Sequence, residues 1–283
     1  MTMSASESDS GGADNTETLD SNVRVLLIDS GIGGLSVFQC LAKKMPYLNI
    51  DYFCDHEFFP YGTKTPDSLI TRLQKVVETL LSTRPYDLVV IACNTASTVV
   101  LPVLRATFDV PFVGVVPAIK PACQMSKTRK VGLLATEGTV TREYTHNLIE
   151  EFGCDVELTL IGSCELVLEA EKKLSGQSVN IDILRAALKP FKALEIDTIV
   201  LGCTHFPLLM DELNEVVDWP VQWIDSGKAI ACRVECLLRN DLKIKEFEPV
   251  DAIYRFYNTN ESSASDLVNF PNSFSDHQRI IIQ

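Results

Sequence analysis

The chain has 283 residues, of which 46% are hydrophobic and 22% are charged, so it can form one large domain or two modest ones. Its net charge of −13 argues against a nucleic-acid or acidic-membrane partner, because both require a basic surface. No apolar run approaches the roughly 20 residues that span a bilayer, so we expect a cytoplasmic protein that has no membrane partner.

Residues 1–21 are acidic and contain no Lys or Arg, which is the opposite of a signal peptide. We interpret them as a disordered acidic extension.

The chain has nine cysteines, an odd number, and no C-x-x-C pair. This pattern is typical of a reducing cytosol rather than of a disulfide framework.

Short apolar runs then alternate with amphipathic helical segments along the whole chain. The clearest helix is predicted over 66–82, with Thr65 as its cap and Pro66 in its first turn. Continuous runs of Val, Ile and Leu predict parallel strands that are buried on both faces. The predicted strands are 24–29, 50–55, 88–93, 111–116, 131–135, 156–161, 198–203, 221–225 and 253–257.

This alternation predicts an α/β fold with open, mostly parallel sheets flanked by helices. Two similar halves indicate two pseudo-symmetric domains with an active site in the cleft between them. We expect the first domain to comprise 22–116 and 225–283, and the second to comprise 117–224.

The similarity of the halves is clearest in two segments that each end in a cysteine. Asp87-Leu-Val-Val-Ile-Ala-Cys93-Asn-Thr-Ala-Ser is echoed by Asp197-Thr-Ile-Val-Leu-Gly-Cys203-Thr-His-Phe-Pro. A thiol at the start of a helix meets free N–H groups and the positive end of the helix dipole, which favour thiolate. Two such thiols on opposite walls of a cleft could exchange protons with the two faces of one carbon. A single cysteine at a strand end can equally be a buried structural residue.

Two further segments follow predicted strands. Asp29-Ser-Gly-Ile-Gly-Gly34 lets the backbone approach a ligand closely, but Ser36 stands where a dinucleotide fingerprint requires its third glycine. Phe59-Pro60-Tyr61-Gly62 is by itself an ordinary turn with an aromatic residue.

His205 has several interpretations from its sequence context. A metal site lacks a second ligand at suitable spacing to Cys203, and a cysteine-hydrolase triad leaves Cys93 unexplained. A proton partner or thiol orienter fits the pattern best, and a structural histidine that caps a helix remains open.

Taken together, these segments resemble the glutamate racemases of the Asp/Glu racemase family, in particular their longer proteobacterial branch. The resemblance covers about residues 24 to 239. It is carried by DSGIGGLSV (29–37), FPYG (59–62), ACNTAS (92–97), GVVPAIKPA (114–122), LLATEGTV (133–140) and LGCTHFPLL (201–209).

The resemblance implies a cofactor-independent exchange of L- and D-glutamate for peptidoglycan synthesis, with Cys93 and Cys203 as the two acid/base thiols. Asp29 is then expected to assist Cys93, and Glu165 with His205 to assist Cys203. The residues expected to contact substrate are Asp29, Ser30, Tyr61, Gly62, Asn94, Thr95, Thr139, Thr204 and His205.

Other functions stay open at this point. An aspartate racemase or another two-cysteine enzyme would share these motifs, and so would a ligand-binding regulator that has lost catalysis. A redox switch between the cysteines fits the sequence less well. The resemblance implies a reaction without a pyridoxal cofactor, and it makes a UDP-muramoyl-alanine nucleotide a candidate activator. We expect no metal, and we expect a monomer or a homodimer.

Overall fold

The computed structural model describes residues 23–153, 155–242, 252–260 and 274–282. The predicted acidic extension, residues 1–21, therefore lies outside the described residues. Within the described ranges, every paired strand is parallel to its neighbours and the strands form two sheets. No helix in these ranges is long and apolar enough to cross a membrane.

Strands and helices alternate in the order expected of an α/β fold. The strands are β1 (Arg24–Asp29), β2 (Asn49–Cys54), β3 (Leu88–Ile91), β4 (Phe112–Gly114), β5 (Lys130–Ala135), β6 (Glu157–Gly162), β7 (Thr198–Leu201), β8 (Gln222–Ile224), β9 (Tyr254–Asn258) and β10 (Phe274–Arg279). The helices are α1 (Leu35–Lys44), α2 (Pro66–Thr83), α3 (Asn94–Thr107), α4 (Ile119–Met125), α5 (Glu137–Val140), α6 (Glu143–Phe152), α7 (Glu165–Leu174), α8 (Ile181–Ala193), α9 (Met210–Val216) and α10 (Gly227–Cys236).

The two sheets share one strand order. The first runs β10-β9-β2-β1-β3-β4, and the second runs β6-β5-β7-β8. The order β2-β1-β3-β4 is thus repeated as β6-β5-β7-β8, with β9 and β10 added beyond β2. In this correspondence β3 matches β7, which are the strands that precede Cys93 and Cys203.

Helices cover both faces of each sheet. In the first sheet, α1 and α10 pack on one face, and α2 and α3 pack on the other. In the second, α7, α8 and α9 cover one face, and α4 and α6 cover the opposite face. Because both faces are buried, the central strands need continuous apolar sequences, which explains the runs of Val, Ile and Leu.

All nine predicted strands are present, and their ends differ from the predicted ends by at most two residues. The predicted helix over 66–82 is α2, and the Thr65 side chain accepts a hydrogen bond from the backbone N–H of Ser68 at its start. Strand β10 was not predicted, because its sequence FSDHQR is mostly polar and lies at the exposed edge of the sheet. The predicted α/β class is confirmed, and the exact domain boundaries stay a prediction.

A buried serine ties α3 to the sheet edge. Ser97 Oγ donates to the carbonyl of Ile91 at 3.0 Å and accepts from the backbone N–H of Val115 at 3.0 Å. We expect Ser97→Ala to lower the free energy of unfolding by about 1–2 kcal/mol, because buried polar groups lose a partner. Chemical denaturation measures this, with the exposed Ser82→Ala as control, and an equal effect in both variants would contradict it.

Candidate active site

The carboxyl ends of the two sheets face each other, and hydrogen bonds connect them directly. Thr204 Oγ1, after β7, donates to Asp29 Oδ2, at the end of β1, at 2.9 Å. Ser36 Oγ on α1 donates to the carbonyl of Thr204 at 2.9 Å. In parallel α/β sheets this end carries the binding loops, so the contacts place the candidate site between the two sheets.

The two thiols occupy matching places but differ in their surroundings. Cys93 precedes α3, and the N–H groups of Thr95 and Ala96 donate to its sulfur. Cys203 is followed by a short 3₁₀ turn (Phe206–Leu209) rather than directly by an α-helix. Both side chains are buried, and a charge on Cys203 raises the pKa of Cys93, so the thiols are near enough to interact.

The expectation that the helix start favours a thiolate at Cys93 is wrong, because burial has the larger effect on its pKa. Burial raises the pKa of the Cys93 thiol well above its ordinary value, and the negative charge of Asp29 raises it further. The two backbone N–H groups act in the opposite direction but do not outweigh the burial. Cys93 therefore rests as a thiol that can donate a proton.

Asp29 is completely buried between the two sheets. Its Oδ1 accepts from the N–H of Ser30 at 2.5 Å and from Ser30 Oγ at 3.2 Å. Burial raises the pKa of Asp29, whereas the charge of His205 and the hydrogen bond from Thr204 lower it. Asp29, Ser30 and Thr204 thus come together as predicted.

His205 connects Cys203 to a carboxylate. Its Nδ1 lies 3.8 Å from Cys203 Sγ, and its Nε2 donates to Glu171 Oε1 at 2.6 Å. Burial alone would lower the pKa of His205, but the bonds to Cys203 and Glu171 raise it well above 6.5. Burial would likewise raise the pKa of Glu171, but its histidine partners lower it to about 2. A protonated imidazole therefore stands between a sulfur and an ionised carboxylate.

The structure corrects the predicted carboxylate partner of His205. Glu165 is exposed in the first turn of α7 and makes no hydrogen bond or ion pair with the described residues, whereas Glu171 is in contact with the ring. Helical spacing provides the physical reason, because Glu171 lies between the buried Val167 and Leu174 on one side of α7. That stripe is the signal that the sequence analysis did not use.

The glycine-rich turn packs against this histidine and carboxylate. A Cβ on Gly33 would overlap the ring of His205, and a Cβ on Gly31 would overlap Oε1 of Glu171. The N–H of Ile32 donates to the same oxygen at 3.0 Å. The glycines are therefore needed for contact with protein groups, and the N–H groups of Ser30, Gly31 and Ile32 are already bonded to carboxylates.

Three buried hydroxyl groups form a cluster across the two halves. Thr95 Oγ1 on α3 lies 2.9 Å from Thr136 Oγ1 and 3.1 Å from Thr139 Oγ1, and the latter two are 3.0 Å apart. Thr136 directly follows β5 and was not predicted as a site residue; the registers of β1 with β3 and of β5 with β7 match it to Ser30, which directly follows β1. The predicted Thr95 and Thr139 are thus adjacent.

The Phe59–Gly62 segment is anchored by the partly buried ion pair of Asp55 and Arg72. Tyr61 is buried, and its hydroxyl donates to Asp55 Oδ2 at 2.8 Å. Arg72 binds both oxygens of Asp55, at 3.0 and 2.6 Å. Tyr61 therefore directs its hydroxyl to Asp55, while Gly62 packs against Thr136. Asp55 and Arg72 support the turn from outside the motif.

A buried hydrogen-bond acceptor and a cation lie in this region. Asn94 Oδ1 is buried and has no hydrogen-bond partner within the described ranges. A cavity of about 870 Å³ is lined by Gly62, Thr98, Gly138 and Arg142, so it adjoins the hydroxyl cluster. Burial lowers the pKa of the Arg142 guanidinium. A buried acceptor and a nearby cation suit a ligand that carries both an ammonium group and carboxylates.

The chain was compared with known proteins. Residues 35–234 match the family model described as Asp/Glu/Hydantoin racemase. A glutamate racemase of Vibrio campbellii is 49% identical over 223 residues, which are 79% of this chain and 82% of the relative. One from Shewanella sp. is 44% identical over 263 residues, or 90% and 96% of the two chains.

Solved structures agree with these relatives. The Escherichia coli glutamate racemase in complex with L-glutamate and the activator UDP-MurNAc-Ala is 40% identical, with a TM-score of 0.85, and the match covers 93% of this chain and 99% of that one. The RacE1 glutamate racemase of Bacillus anthracis is 25% identical with a TM-score of 0.77, over 92% and 97% of the two chains.

Two facing α/β halves, each with a buried cysteine after its third strand, form the fold that this chain shares with solved glutamate racemases. The chain belongs to the Asp/Glu racemase family. The family predicted from the sequence motifs is therefore confirmed.

The pair of His205 and Glu171 has a testable effect on stability. The folded-state pKa of Glu171 is lowered, so its contribution is complete above about pH 4.5 and is lost as pH falls towards 2. The pKa of His205 is raised, so its contribution is complete below about pH 6.5 and is lost as pH rises through the folded-state value.

We therefore expect Glu171→Gln to lower the free energy of unfolding most between about pH 4.5 and 6.5, by about 2 kcal/mol. Denaturant titrations across this range measure the difference. Glu165→Gln removes an exposed carboxylate from the same helix and is the control. A pH-independent difference between the Glu171 variant and the wild type would contradict the assignment.

Proposed function

We propose that this protein interconverts L- and D-glutamate and so supplies D-glutamate for peptidoglycan synthesis in the cytoplasm. The observation that carries the proposal is the pair of thiols on matching strands of two facing sheets. One thiol retains its proton, and the other stands beside a buried imidazole–carboxylate pair. Curated relatives with this activity match most of the chain.

The different surroundings of the thiols assign their roles for one direction of the reaction. Cys203 removes the α-proton as a thiolate, with the His205 imidazolium beside its sulfur. Cys93, which starts as a thiol, donates its proton to the opposite face of the same carbon. After this turnover Cys203 holds the proton and Cys93 is a thiolate, which is the arrangement needed for the reverse direction.

Binding of substrate requires positive potential and donors, because the chain carries a net charge of −13. We assign the carboxylates to Asn94, Thr95 and Thr139, whose side chains are buried at the ends of the two sheets, because the hydroxyls of Ser30 and Thr204 already donate to Asp29. The free Oδ1 of Asn94 is suited to the ammonium group. Preorganised donors of this kind stabilise negative charge that develops at Cα. Neither cofactor nor metal is part of this proposal.

Two substitutions test the thiol roles. We expect Cys93→Ala and Cys203→Ala each to lower the racemisation rate by at least about 10³-fold, because each removes an acid/base group. Circular dichroism at a wavelength where glutamate absorbs follows the conversion of L- to D-glutamate and the reverse. Cys123→Ala, which removes a buried thiol on α4, is the control and should retain activity. Substantial turnover by either site variant would refute the two-thiol mechanism. Assays with aspartate in place of glutamate test whether glutamate is the preferred substrate.

A second test uses heavy water. Because the donating thiol exchanges with solvent, the newly formed enantiomer should carry deuterium at Cα, while unreacted substrate keeps its proton early in the reaction. NMR of the separated enantiomers measures this. Product that retains the substrate proton would indicate a single base instead.

We also propose that a UDP-muramoyl-alanine nucleotide activates this enzyme. The support is the similarity to the Escherichia coli protein, whose structure contains such an activator. We expect the nucleotide to raise kcat/KM by about 5- to 150-fold, the usual range of allosteric coupling. Assays with and without the nucleotide, and with UDP as control, measure the effect; an unchanged rate would contradict this proposal.

A further inference from the structure

A second histidine lies on the far side of Glu171. His56 is in the short turn His56–Phe58 after β2, and its side chain is 21% exposed. Its Nε2 lies 3.6 Å from Glu171 Oε2, whereas His205 and the N–H of Ile32 both bind Oε1. The two histidines therefore contact opposite oxygens of one carboxylate.

The position of the His56 ring is fixed by its neighbours. It packs edge-on to Phe59, with 6.1 Å between ring centroids, and Phe59 in turn lies 6.0 Å from the ring of His205. The backbone N–H of His56 donates to the thiol of Cys54 at the end of β2. Phe59 packs against both imidazole rings, and Glu171 is the polar group that both rings contact.

We propose that His56 is a positioning residue of the Cys203 side: it holds Oε2 of Glu171 and so weakens the attraction of Oε1 for the Nε2 proton of His205. This inference rests on the proposed function. A donor or a positive charge on Oε2 draws electron density from the carboxylate, so the bond from Oε1 to His205 weakens. The imidazolium is then a stronger acid, so the proton on Nδ1, which faces Cys203, is more readily available to that sulfur.

The other charged groups around His56 are already paired or buried. Arg72 on α2 is engaged by Asp55 and by Glu57 from the same turn as His56. The Cys54 thiol is buried, and burial raises its pKa. The titratable and charged groups that face His56 are Cys54, Asp55, Glu57, Arg72, Glu171 and, across Phe59, His205.

Three variants at this position test the proposal through the pH profile of kcat/KM. His56→Phe removes the donor but keeps an aromatic ring, His56→Arg supplies a permanent charge, and His56→Gln supplies a neutral donor. His146→Phe is the matched control, because His146 is exposed on α6 and does not line the cavity beside the hydroxyl cluster. The equilibrium constant of racemisation is one, so kcat/KM must agree in both directions at each pH, which checks every profile internally.

We expect the alkaline limb, which reports loss of the proton from His205, to move up by about half a pH unit in His56→Phe and down by a similar amount in His56→Arg. His56→Gln should remain near the wild type, and the acid limb should not move. If the limbs stay fixed, or if the Phe and Arg variants move the limb in the same direction, the inference is wrong. If His56→Phe does not fold, the direction of the shift in His56→Arg decides.

The outcome separates this inference from the proposed function. Loss of racemisation in Cys93→Ala and Cys203→Ala with an unchanged profile in the His56 variants would refute the role of His56 alone. Retained racemisation in the cysteine variants would refute the function itself.

Discussion

The hydrogen bond between Asp29 and Thr204 is the contact on which the rest of the site depends. It joins residues that are 175 positions apart and belong to different sheets. A buried carboxylate is costly unless its oxygens are satisfied, so Asp29 requires donors from both halves of the molecule. Because Thr204 directly follows Cys203, satisfying Asp29 also fixes where the second thiol stands relative to the first half.

The two halves repeat a strand order but not an electrostatic environment. Cys93 is buried and lies near the carboxylate of Asp29, and both features oppose ionisation of its thiol. Cys203 has an imidazole beside it that is itself supported by Glu171. The fold of the two halves is similar, but the groups beside the two cysteines differ, and this keeps Cys93 protonated. A reaction that needs an acid and a base at the same time requires such a difference between the two thiols.

The sequence predicted most of the fold because its central strands are buried on both faces and therefore are continuous apolar runs. It did not predict β10, whose polar residues carry no such pattern at an exposed edge. The site was predicted in part. Cys93, Cys203, Asp29, Thr204 and His205 were found through motifs, and the structure brings them together.

The remainder of the site depends on distances that one sequence does not encode. Helix α7 contains Glu165, Glu169 and Glu171, and only the packing of its buried stripe selects Glu171 for His205. The pKa of Cys93 depends on its depth, which outweighs the helix start that the sequence analysis emphasised. Thr136 lies in the LLATEGTV segment but was not predicted as a site residue, and His56 lies in none of the motifs. Both matter because residues distant in the chain, Thr95 and Glu171, lie beside them.

The addition of β9 next to β2 has a consequence for how the protein is made. Thr259, just after β9, accepts from the N–H of Glu57 at 2.9 Å and so holds the turn that leads to Tyr61. A nascent chain leaving the ribosome can complete the second sheet once β8 has emerged, but this turn gains its last support only when Thr259 arrives. The turn that leads to Tyr61 is therefore completed by a segment that is synthesised after the whole second sheet.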